Sequence, residues 1–196
     1  MISGIQGTLV RLGASSAFVL AGGLEYEVHV PLSVYDALEK QGSGSDVHLF
    51  VHHHFSQEDQ KLFGFADASE REVFRELIRL QGMGPALALS VLSHYDGPRL
   101  LSSCESGDVQ GLTQIPRVGK KTAERLIFEI TSRKERFRKL LAGQKKGPAP
   151  ETEQDLAREA LLQLGYREAA IAEAFKKLDA KPRTASEWIT SSLRVL

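Results

Sequence analysis

The 196-residue sequence contains one cysteine, Cys104, and only one tryptophan and two methionines. A single cysteine excludes an intrachain disulfide framework and fits a reducing compartment. No run of about 18 apolar residues is present, so no segment is expected to span a membrane. The N-terminus MISGIQGTLVRLG lacks the basic flank and the long apolar core of a signal peptide. We therefore expect a cytoplasmic, non-membrane protein.

The sequence also lacks a net charge, because 25 Lys and Arg are balanced by 25 Asp and Glu. The distribution, however, is uneven. Residues 1–65 contain three basic and seven acidic residues, whereas residues 66–150 contain fifteen basic and ten acidic ones. Nine of those basic residues lie between positions 117 and 139. A local basic stripe favours phosphate contact whatever the total charge is, so the middle segment is the one expected to bind an anionic partner.

Hydrophobic periodicity predicts a multidomain α+β protein. Residues 1–65 alternate with period two in GTLVRL, SAFVLA, LEYEVHV, DVHLFVHH and KLFGFA, which suits a small closed barrel, most simply an OB-fold. Helical periodicity covers residues 66–141 and begins at SEREVFRELIRL, where Ser69 and Glu72 have the spacing of a capping box. A Gly-, Pro- and charge-rich linker at 142–152 precedes three short helices in residues 153–196, whose LGY turn resembles that of ubiquitin-associated (UBA-like) domains.

The middle segment contains an internal repeat at an offset of 35 residues. LxxLQGMGPxxA, starting at Leu77, aligns with LxxIPRVGKxxA, starting at Leu112. Each copy predicts a helix, a short hairpin with glycine, and a second helix with a small residue in its first turn. This is the pattern of a helix-hairpin-helix, here in tandem.

The chemistry of that pattern points to DNA phosphates. Glycine lets the backbone approach a phosphodiester closely, and the following helix N-terminus supplies unpaired N–H groups and a favourable dipole. Such contacts hold DNA without reading its base sequence. The candidate DNA-binding residues are Gly82, Met83, Gly84, Pro85 and Ala86 in the first hairpin and Arg117, Val118, Gly119, Lys120, Lys121, Thr122 and Arg125 in the second.

Several alternative functions fit the sequence less well than DNA binding. PRVGKKTAERL resembles a nucleotide-binding P-loop, but Gln114 stands where that loop needs glycine, and the preceding segment is predicted to be helical. A helix-hairpin-helix glycosylase usually needs an aspartate downstream, yet none lies between Gly119 and Leu141. No cluster of carboxylates suggests a junction nuclease. A structural adaptor that binds protein through its barrel would leave the doubled hairpin unexplained.

Neither a metal nor a cofactor is expected. His48, His52 and His54 would share one face of a strand, with His53 opposite, but no cysteine or paired carboxylate completes a ligand set. We therefore expect histidines on a strand surface. Cys104 has no neighbouring His/Asp pattern that would activate it and is expected to be a small, semi-buried residue.

Taken in order, these motifs resemble the RuvA family, the DNA-binding subunits of the bacterial Holliday junction branch migration complex. The resemblance covers nearly the whole chain, through GTLVRL, YEVHVPLSVYDAL, KLFGF, both hairpins and ALxxLGY. It implies a non-catalytic subunit that binds four-way DNA independently of sequence and holds it open and square. The expected context is homologous recombination, DNA repair and the SOS response to DNA damage.

The resemblance also implies partners and further site residues. It implies a homotetramer, or two tetramers face to face on DNA, and partners in the hexameric ATPase RuvB and the resolvase RuvC. The family carries two acidic residues in the turn before the last barrel strand, an acidic pin at the junction centre, matched here by Glu58 and Asp59. Carboxylates there would repel DNA phosphates and disfavour plain duplex. Leu164 and Tyr166 are the candidates for contact with RuvB.

Two positions depart from the family pattern. Ala86 stands where the first hairpin usually has lysine, which removes one positive charge. Arg117 stands where the second hairpin usually begins with glycine. If that position requires a positive φ, a side chain there costs about 1 kcal/mol. Our hypothesis is that Arg117 contacts a phosphate and partly replaces the missing lysine.

Overall fold

The computed structural model describes residues 1–56, 59–142, 152–178 and 184–195. The chain divides into two compact units, residues 1–145 and residues 146–196. The first unit contains the strands β1 Gly4–Leu12, β2 Ser16–Ala21, β3 Leu24–His29, β4 Asp46–Phe55 and β5 Gln60–Phe65. Its helices are α1 Leu32–Gln41, α2 Ala68–Leu77, α3 Pro85–His94, α4 Gly97–Glu105, α5 Val109–Leu112, α6 Lys120–Ser132 and α7 Lys134–Ala142. The second unit contains α8 Glu153–Gln163, α9 Glu168–Lys177 and α10 Ala185–Leu193.

The strands form a closed barrel in the order β1-β2-β3-β5-β4, with β4 pairing back to β1. Neighbouring strands are antiparallel except β3 and β5, which run parallel with Val28 opposite Leu62. Alternate residues of β4, Val47, Leu49 and Val51, are buried inside the barrel, as the period-two pattern requires. The predicted OB-fold barrel is therefore confirmed.

Helix α1 was not predicted from the sequence. It buries only Val34 and Leu38, which lie one turn apart, and its N-cap Pro31 offers no side-chain hydrogen bond. A helix with so narrow an apolar stripe leaves little periodicity to detect. It nevertheless connects barrel and helices, because the Leu32 N–H donates to Ser93 Oγ of α3 at 3.2 Å.

The barrel and helices α2–α7 share apolar packing. The rings of Phe63 and Phe65 on β5 each lie 5.0 Å from the ring of Phe74 on α2. Both phenylalanines of β5 belong to the same buried cluster as Leu126 and Ile130 of α6. This continuous core fixes the helical hairpins against one side of the barrel.

Helix α2 begins earlier than the sequence pattern indicated. Its N-cap is Asp67, whose Oδ1 accepts from the Glu70 N–H at 2.8 Å. The capping box predicted at Ser69 and Glu72 is therefore wrong. The helix is capped two residues earlier, at Asp67, so Ser69 lies inside its first turn. Glu72 forms ion pairs with Arg71 and Arg75 instead.

His48 is exposed on β4, as predicted, but His52, like His53 and His54, is half-buried. Its ring lies 5.5 Å from that of Phe74, and neither ring nitrogen has a hydrogen-bond partner in the described parts of the chain. Burial, reinforced by the Arg75 guanidinium, lowers the pKa of His52 to about 4. No group of three His, Cys, Asp or Glu side chains within the described residues could hold a metal ion.

This half-buried imidazole should make stability fall in mild acid. The unfolded chain binds a proton near pH 6.5, whereas folded His52 stays neutral to about pH 4. The free energy of unfolding should therefore contain the full contribution of His52 above pH 6.5. It should decrease as the pH falls towards 4, by on the order of 1–2 kcal/mol after solvent screening. Urea unfolding of His52→Phe, followed by circular dichroism, should show a flatter pH dependence, and His48→Phe should keep the original slope. An equal slope in all three proteins would contradict this assignment.

Cys104 is more deeply buried than the semi-buried position predicted for it, with 2% of its surface exposed. Burial raises the pKa of its thiol to about 12. The thiolate needed for nucleophilic chemistry is therefore strongly disfavoured, and Cys104 acts as a small apolar residue of the helical core.

The second unit has the three helices predicted for it. Leu161, Ile171, Phe175 and Trp188 form its core with Ala157, and the rings of Phe175 and Trp188 lie 4.9 Å apart. Thr184 caps α10 through a complete capping box. Among the described helices of both units, none combines the length and apolar composition needed to cross a bilayer.

Candidate nucleic-acid interface

The first hairpin joins α2 to α3 around Gly82. Leu80 and Met83 are buried in the helical core, and the Met83 N–H donates to the Leu80 carbonyl at 3.1 Å. Gly82 has a φ of 80°, which glycine adopts without strain. Gly84 is the N-cap of α3. The apolar anchors thus face inward, and the glycine backbone is exposed.

The second hairpin repeats this geometry. Ile115 and Val118 are buried, and the Val118 N–H donates to the Ile115 carbonyl at 3.0 Å. Gly119 is the N-cap of α6, as Gly84 is of α3. The repeat found in the sequence is therefore a repeat of backbone structure. Of the predicted DNA-binding residues, Met83 and Val118 have buried side chains and can offer only their backbone.

The two N-cap glycines leave an open backbone surface. A Cβ added to Gly84 or Gly119 would meet no atom within 4 Å, so internal packing does not require glycine at either position. Neither glycine has a side chain that could accept a hydrogen bond from the first-turn N–H groups, so neither helix start is capped by its N-cap residue. The first-turn N–H groups of α6 lack intrahelical partners, whereas α3 begins with Pro85, which has no N–H. An anion is favoured at such helix starts by the N–H groups and by the helix dipole.

Arg117 occupies in the second hairpin the position that Gly82 holds in the first. Its φ is 70°, and it is the one non-glycine residue with positive φ within the described segments. The positive φ on which our expectation of strain depended is therefore present, at a cost of about 1 kcal/mol. The side chain is exposed, so core packing does not account for an arginine at this strained position.

Exposed cations surround the two helix starts. Lys120 and Lys121 lie in the first turn of α6 and are exposed. The ion pair of Lys120 with Glu124 is long, at 4.0 Å, and lies on the surface, so it holds Lys120 weakly. Arg125 was expected beside the second hairpin, but its guanidinium reaches the first. A Cβ at Gly82 would lie 3.4 Å from its Nη1.

Thr122 and Ala86 complete the predicted set. Thr122 lines a small crevice between α6 and the first hairpin, next to Arg125, so it faces the other hairpin. Ala86 is exposed near the start of α3, where a longer, charged side chain would also have room to extend. The structure therefore brings both hairpins, and all exposed predicted cations, to neighbouring parts of one helical domain.

A cleft of about 440 Å³ lies between the hairpins and the barrel. Ala86 and Arg117 line it from the helical side, while His29 of β3 and Lys61 of β5 line it from the barrel. Sequence reasoning missed His29 and Lys61, because neither belongs to a hairpin motif. Their proximity depends on the pairing of β3 with β5 and on the packing of the barrel against the helices.

The acidic turn lies just before β5. Its hydrogen bonds run from the Ser56 N–H to the Asp59 carbonyl at 2.9 Å and from the Asp59 N–H to Ser56 Oγ at 3.0 Å. Lys61 Nζ is 2.8 Å from Asp59 Oδ2. This hydrogen bond lowers the pKa of Asp59 and raises that of Lys61. Glu58, the other predicted member of the pin, lies outside the described residues.

The residues nominated for protein contact belong to the second unit. Leu164 and Tyr166 flank Gly165 in the turn between α8 and α9 and are 63% and 38% exposed. Leu162, on the last turn of α8, is also exposed. Exposed apolar side chains of this kind are available for binding a partner.

Comparison with known proteins identifies matching families in both parts of the first unit. Residues 1–64 match the RuvA N terminal domain, and residues 74–132 match the SAM-like helix-hairpin-helix tandem. The chain is 38% identical to the Holliday junction branch migration complex subunit RuvA of Halorhodospira halophila, over 96% of this chain and 94% of the relative. It is 35% identical to the RuvA subunit of Pseudomonas fluorescens, over 99% and 98%, and 32% identical to that of Geobacter sulfurreducens, over 100% and 99%.

Proposed function

The chain belongs to the RuvA family, and from this membership we propose that it binds four-way Holliday junction DNA as a subunit of a branch migration complex. The observation that carries the proposal is the pair of hairpins, with open N-cap glycines at matched register beside Lys120, Lys121 and Arg125. Their contacts go to backbone phosphates, so the binding is independent of base sequence. It serves homologous recombination and DNA repair.

The subunit is the DNA-binding, non-catalytic component, and ATP is hydrolysed by RuvB. The GKKT stretch that resembles a P-loop opens helix α6 after a helical hairpin, whereas a P-loop follows a strand. Its phosphate partner is therefore DNA.

The assembly around this subunit is part of the same proposal. The barrel of residues 1–65 forms the centre of a homotetramer, which on DNA pairs with a second tetramer. Residues 66–141 hold the DNA arms, and the linker at 142–152 joins them to a RuvB-binding domain at 153–196. Within that domain, Leu164 and Tyr166 contact RuvB, and RuvC joins the complex on DNA. The protein works in the bacterial cytoplasm, where chromosomal DNA is repaired.

The direct test is a binding titration of the full chain against a synthetic four-way junction and a duplex with the same arm sequences. We expect at least about tenfold tighter binding to the junction. Junction affinity should fall by about 10³-fold or more between 50 and 200 mM salt, because several phosphates are contacted at once. A preference of a few-fold or less, or weak salt dependence, would overturn the proposal.

Replacing Arg117 by glycine should change stability and binding in opposite directions. The free energy of unfolding should rise by roughly 0.5–1 kcal/mol, because glycine adopts the positive φ of this position without the strain that arginine bears. Junction affinity should fall, and the salt slope should decrease by about 0.9 for every protomer that loses a phosphate contact. Calorimetry and salt titrations measure the two effects.

Two companion variants isolate the charge at this position. Arg117→Asn removes the charge but tolerates the left-handed conformation, so it should lose affinity like Arg117→Gly. Arg117→Lys should keep most of the affinity. Unchanged junction binding in both the glycine and the asparagine variants would show that Arg117 does not contact DNA.

Neutralising the acidic pin should blunt junction preference. A Glu58→Gln, Asp59→Asn chain should bind duplex more tightly, because the carboxylates no longer repel its phosphates. Asp36→Asn with Glu39→Gln, on the exposed face of α1, changes the net charge equally and should leave the junction-to-duplex ratio as it is. Gel shifts with both DNAs measure the ratio. If both double variants keep it, Glu58 and Asp59 do not form a pin here.

A further inference from the structure

Lys61 is an exposed cation to which no motif assigns a role. It is the second residue of β5, with half of its side chain exposed. The other basic residues of the barrel segment are Arg11 and Lys40, and neither lines the cleft below the hairpins. Arg11 stacks on the ring of Phe18 and pairs with Glu25. Of these three basic residues of the barrel segment, Lys61 is the one that lines the cleft.

The cleft combines apolar lining residues with the polar and cationic side chains of an anion site. Arg117 lines it from the second hairpin, Lys61 and His29 from the barrel, and the hydroxyl-bearing Ser90 from α3. No described carboxylate lines it. Guanidinium, ammonium and hydroxyl groups are the side chains that most often bind a phosphodiester. Ala86, which supplies no charge, lies in the same lining.

Building on the proposed junction binding, we propose that Lys61 is a DNA-contact residue: it binds a backbone phosphate in the cleft it shares with Arg117, and so supplies from the barrel the charge that Ala86 does not. An ammonium group has three donor protons. The bond to Asp59 at 2.8 Å uses one of them, so two remain for a phosphate oxygen. The same ion pair holds the acidic turn next to the bound backbone.

A simpler role for Lys61 is to neutralise Asp59 without touching DNA. In that case the loss of Lys61 would matter only through the unpaired carboxylate, which would repel phosphates more strongly. Removing Asp59 would then remove the effect of Lys61 as well. A phosphate contact predicts the contrary, because the contact persists when Asp59 is neutral.

The test is a double-mutant cycle in the full chain, with Lys61→Gln, Asp59→Asn and the combined variant titrated against a synthetic junction and a matched duplex. We expect Lys61→Gln to weaken binding to both DNAs roughly threefold to tenfold, in the native and in the Asp59→Asn background. The salt slope should decrease by about 0.9 per contacting protomer. Lys61→Arg should retain affinity. Lys40→Gln, an equal charge change on α1, should change affinity by less than twofold.

Two outcomes would overturn the proposal. One is an effect of Lys61→Gln that falls below twofold in the Asp59→Asn background, and the other is an effect no larger than that of Lys40→Gln. Failure of the proposed function looks different. If the native chain does not prefer the junction but Lys61→Gln still weakens duplex binding, the contact stands and the junction function fails. If the native chain prefers the junction and the Lys61→Gln variant binds DNA as tightly as the native chain does, the proposed function stands and the proposed contact of Lys61 fails.

Discussion

A chain carrying both Lys120→Glu and Lys121→Glu should lose at least about 100-fold in junction affinity near 0.1 M salt and yet fold normally. Both lysines lie in the first turn of α6, at the helix start that offers N–H groups to a phosphate. Reversing their charge removes two cations from each protomer and places two carboxylates against the DNA backbone. The same carboxylates interact favourably with the N-terminal end of the helix dipole, by about 0.3–1 kcal/mol each.

The predicted signature is therefore a large loss of binding without a loss of stability. Fluorescence anisotropy with a labelled junction measures the first, and calorimetric unfolding measures the second. Lys176→Glu with Lys177→Glu makes an equal charge change in the second unit, on exposed residues of α9, and should reduce affinity by less than about threefold. If the two double variants bind alike, only net charge matters, and the helix start at Gly119 is not a phosphate site.

The hairpins could be predicted from the sequence because the contacts that form them are local. Each turn depends on a pair of apolar anchors three residues apart, Leu80 with Met83 and Ile115 with Val118, and on a glycine N-cap. Those features lie within a dozen residues, and their repetition at a fixed offset favours a shared motif over two unrelated turns. The barrel strands were predictable for a similar reason, since period two marks one buried face.

Features that depend on contacts between distant segments could not be predicted. The cleft exists because the Phe63 and Phe65 side chains of the barrel pack on Phe74, and because Leu32 is hydrogen-bonded to Ser93. Without that packing, nothing in the sequence relates Lys61 to Arg117. The burial of His52 has the same origin. Its position on the outer face of β4 was predicted from the strand pattern, but the packing of α2 over that face was not.

Local competition explains the errors at helix ends. Asp67 and Ser69 are both good N-cap residues, and the sequence alone does not decide between them. The structure selects Asp67, whose carboxylate accepts from Glu70, and so leaves Glu72 free to pair with Arg71 and Arg75. Arg125 shows the same limit for the site, because its long side chain reaches the first hairpin from the helix of the second.

Glu76→Ala should be the most destabilising of these substitutions, lowering the free energy of unfolding of the first unit by about 2–3 kcal/mol. The Glu76 side chain is 6% exposed, and its Oε1 accepts from Arg79 at 2.5 Å and from Arg136 at 2.6 Å. The bond from Arg136 connects α7 to α2 across 60 positions of sequence. Charge-assisted hydrogen bonds to a carboxylate shielded from water are stronger than surface ion pairs, and alanine removes both.

Glu72, one turn earlier on α2, provides a matched control. It also accepts from two arginines, Arg71 at 3.1 Å and Arg75 at 2.7 Å, but its side chain is 37% exposed. Glu72→Ala should therefore cost less than about 1 kcal/mol. Trp188, the only tryptophan of the sequence, lies in the second unit, so its fluorescence reports that unit while circular dichroism reports mainly the larger first unit.

In urea unfolding, Glu76→Ala should shift the circular dichroism transition to lower urea and leave the fluorescence transition of Trp188 where it is. A shift in both would mean that the variant disturbs the chain generally. Equal costs for Glu76→Ala and Glu72→Ala would mean that burial adds nothing to the ion pairs of Glu76. A loss confined to the first unit and larger than that of Glu72→Ala would identify Glu76 as the residue that holds α7 on the DNA-binding domain.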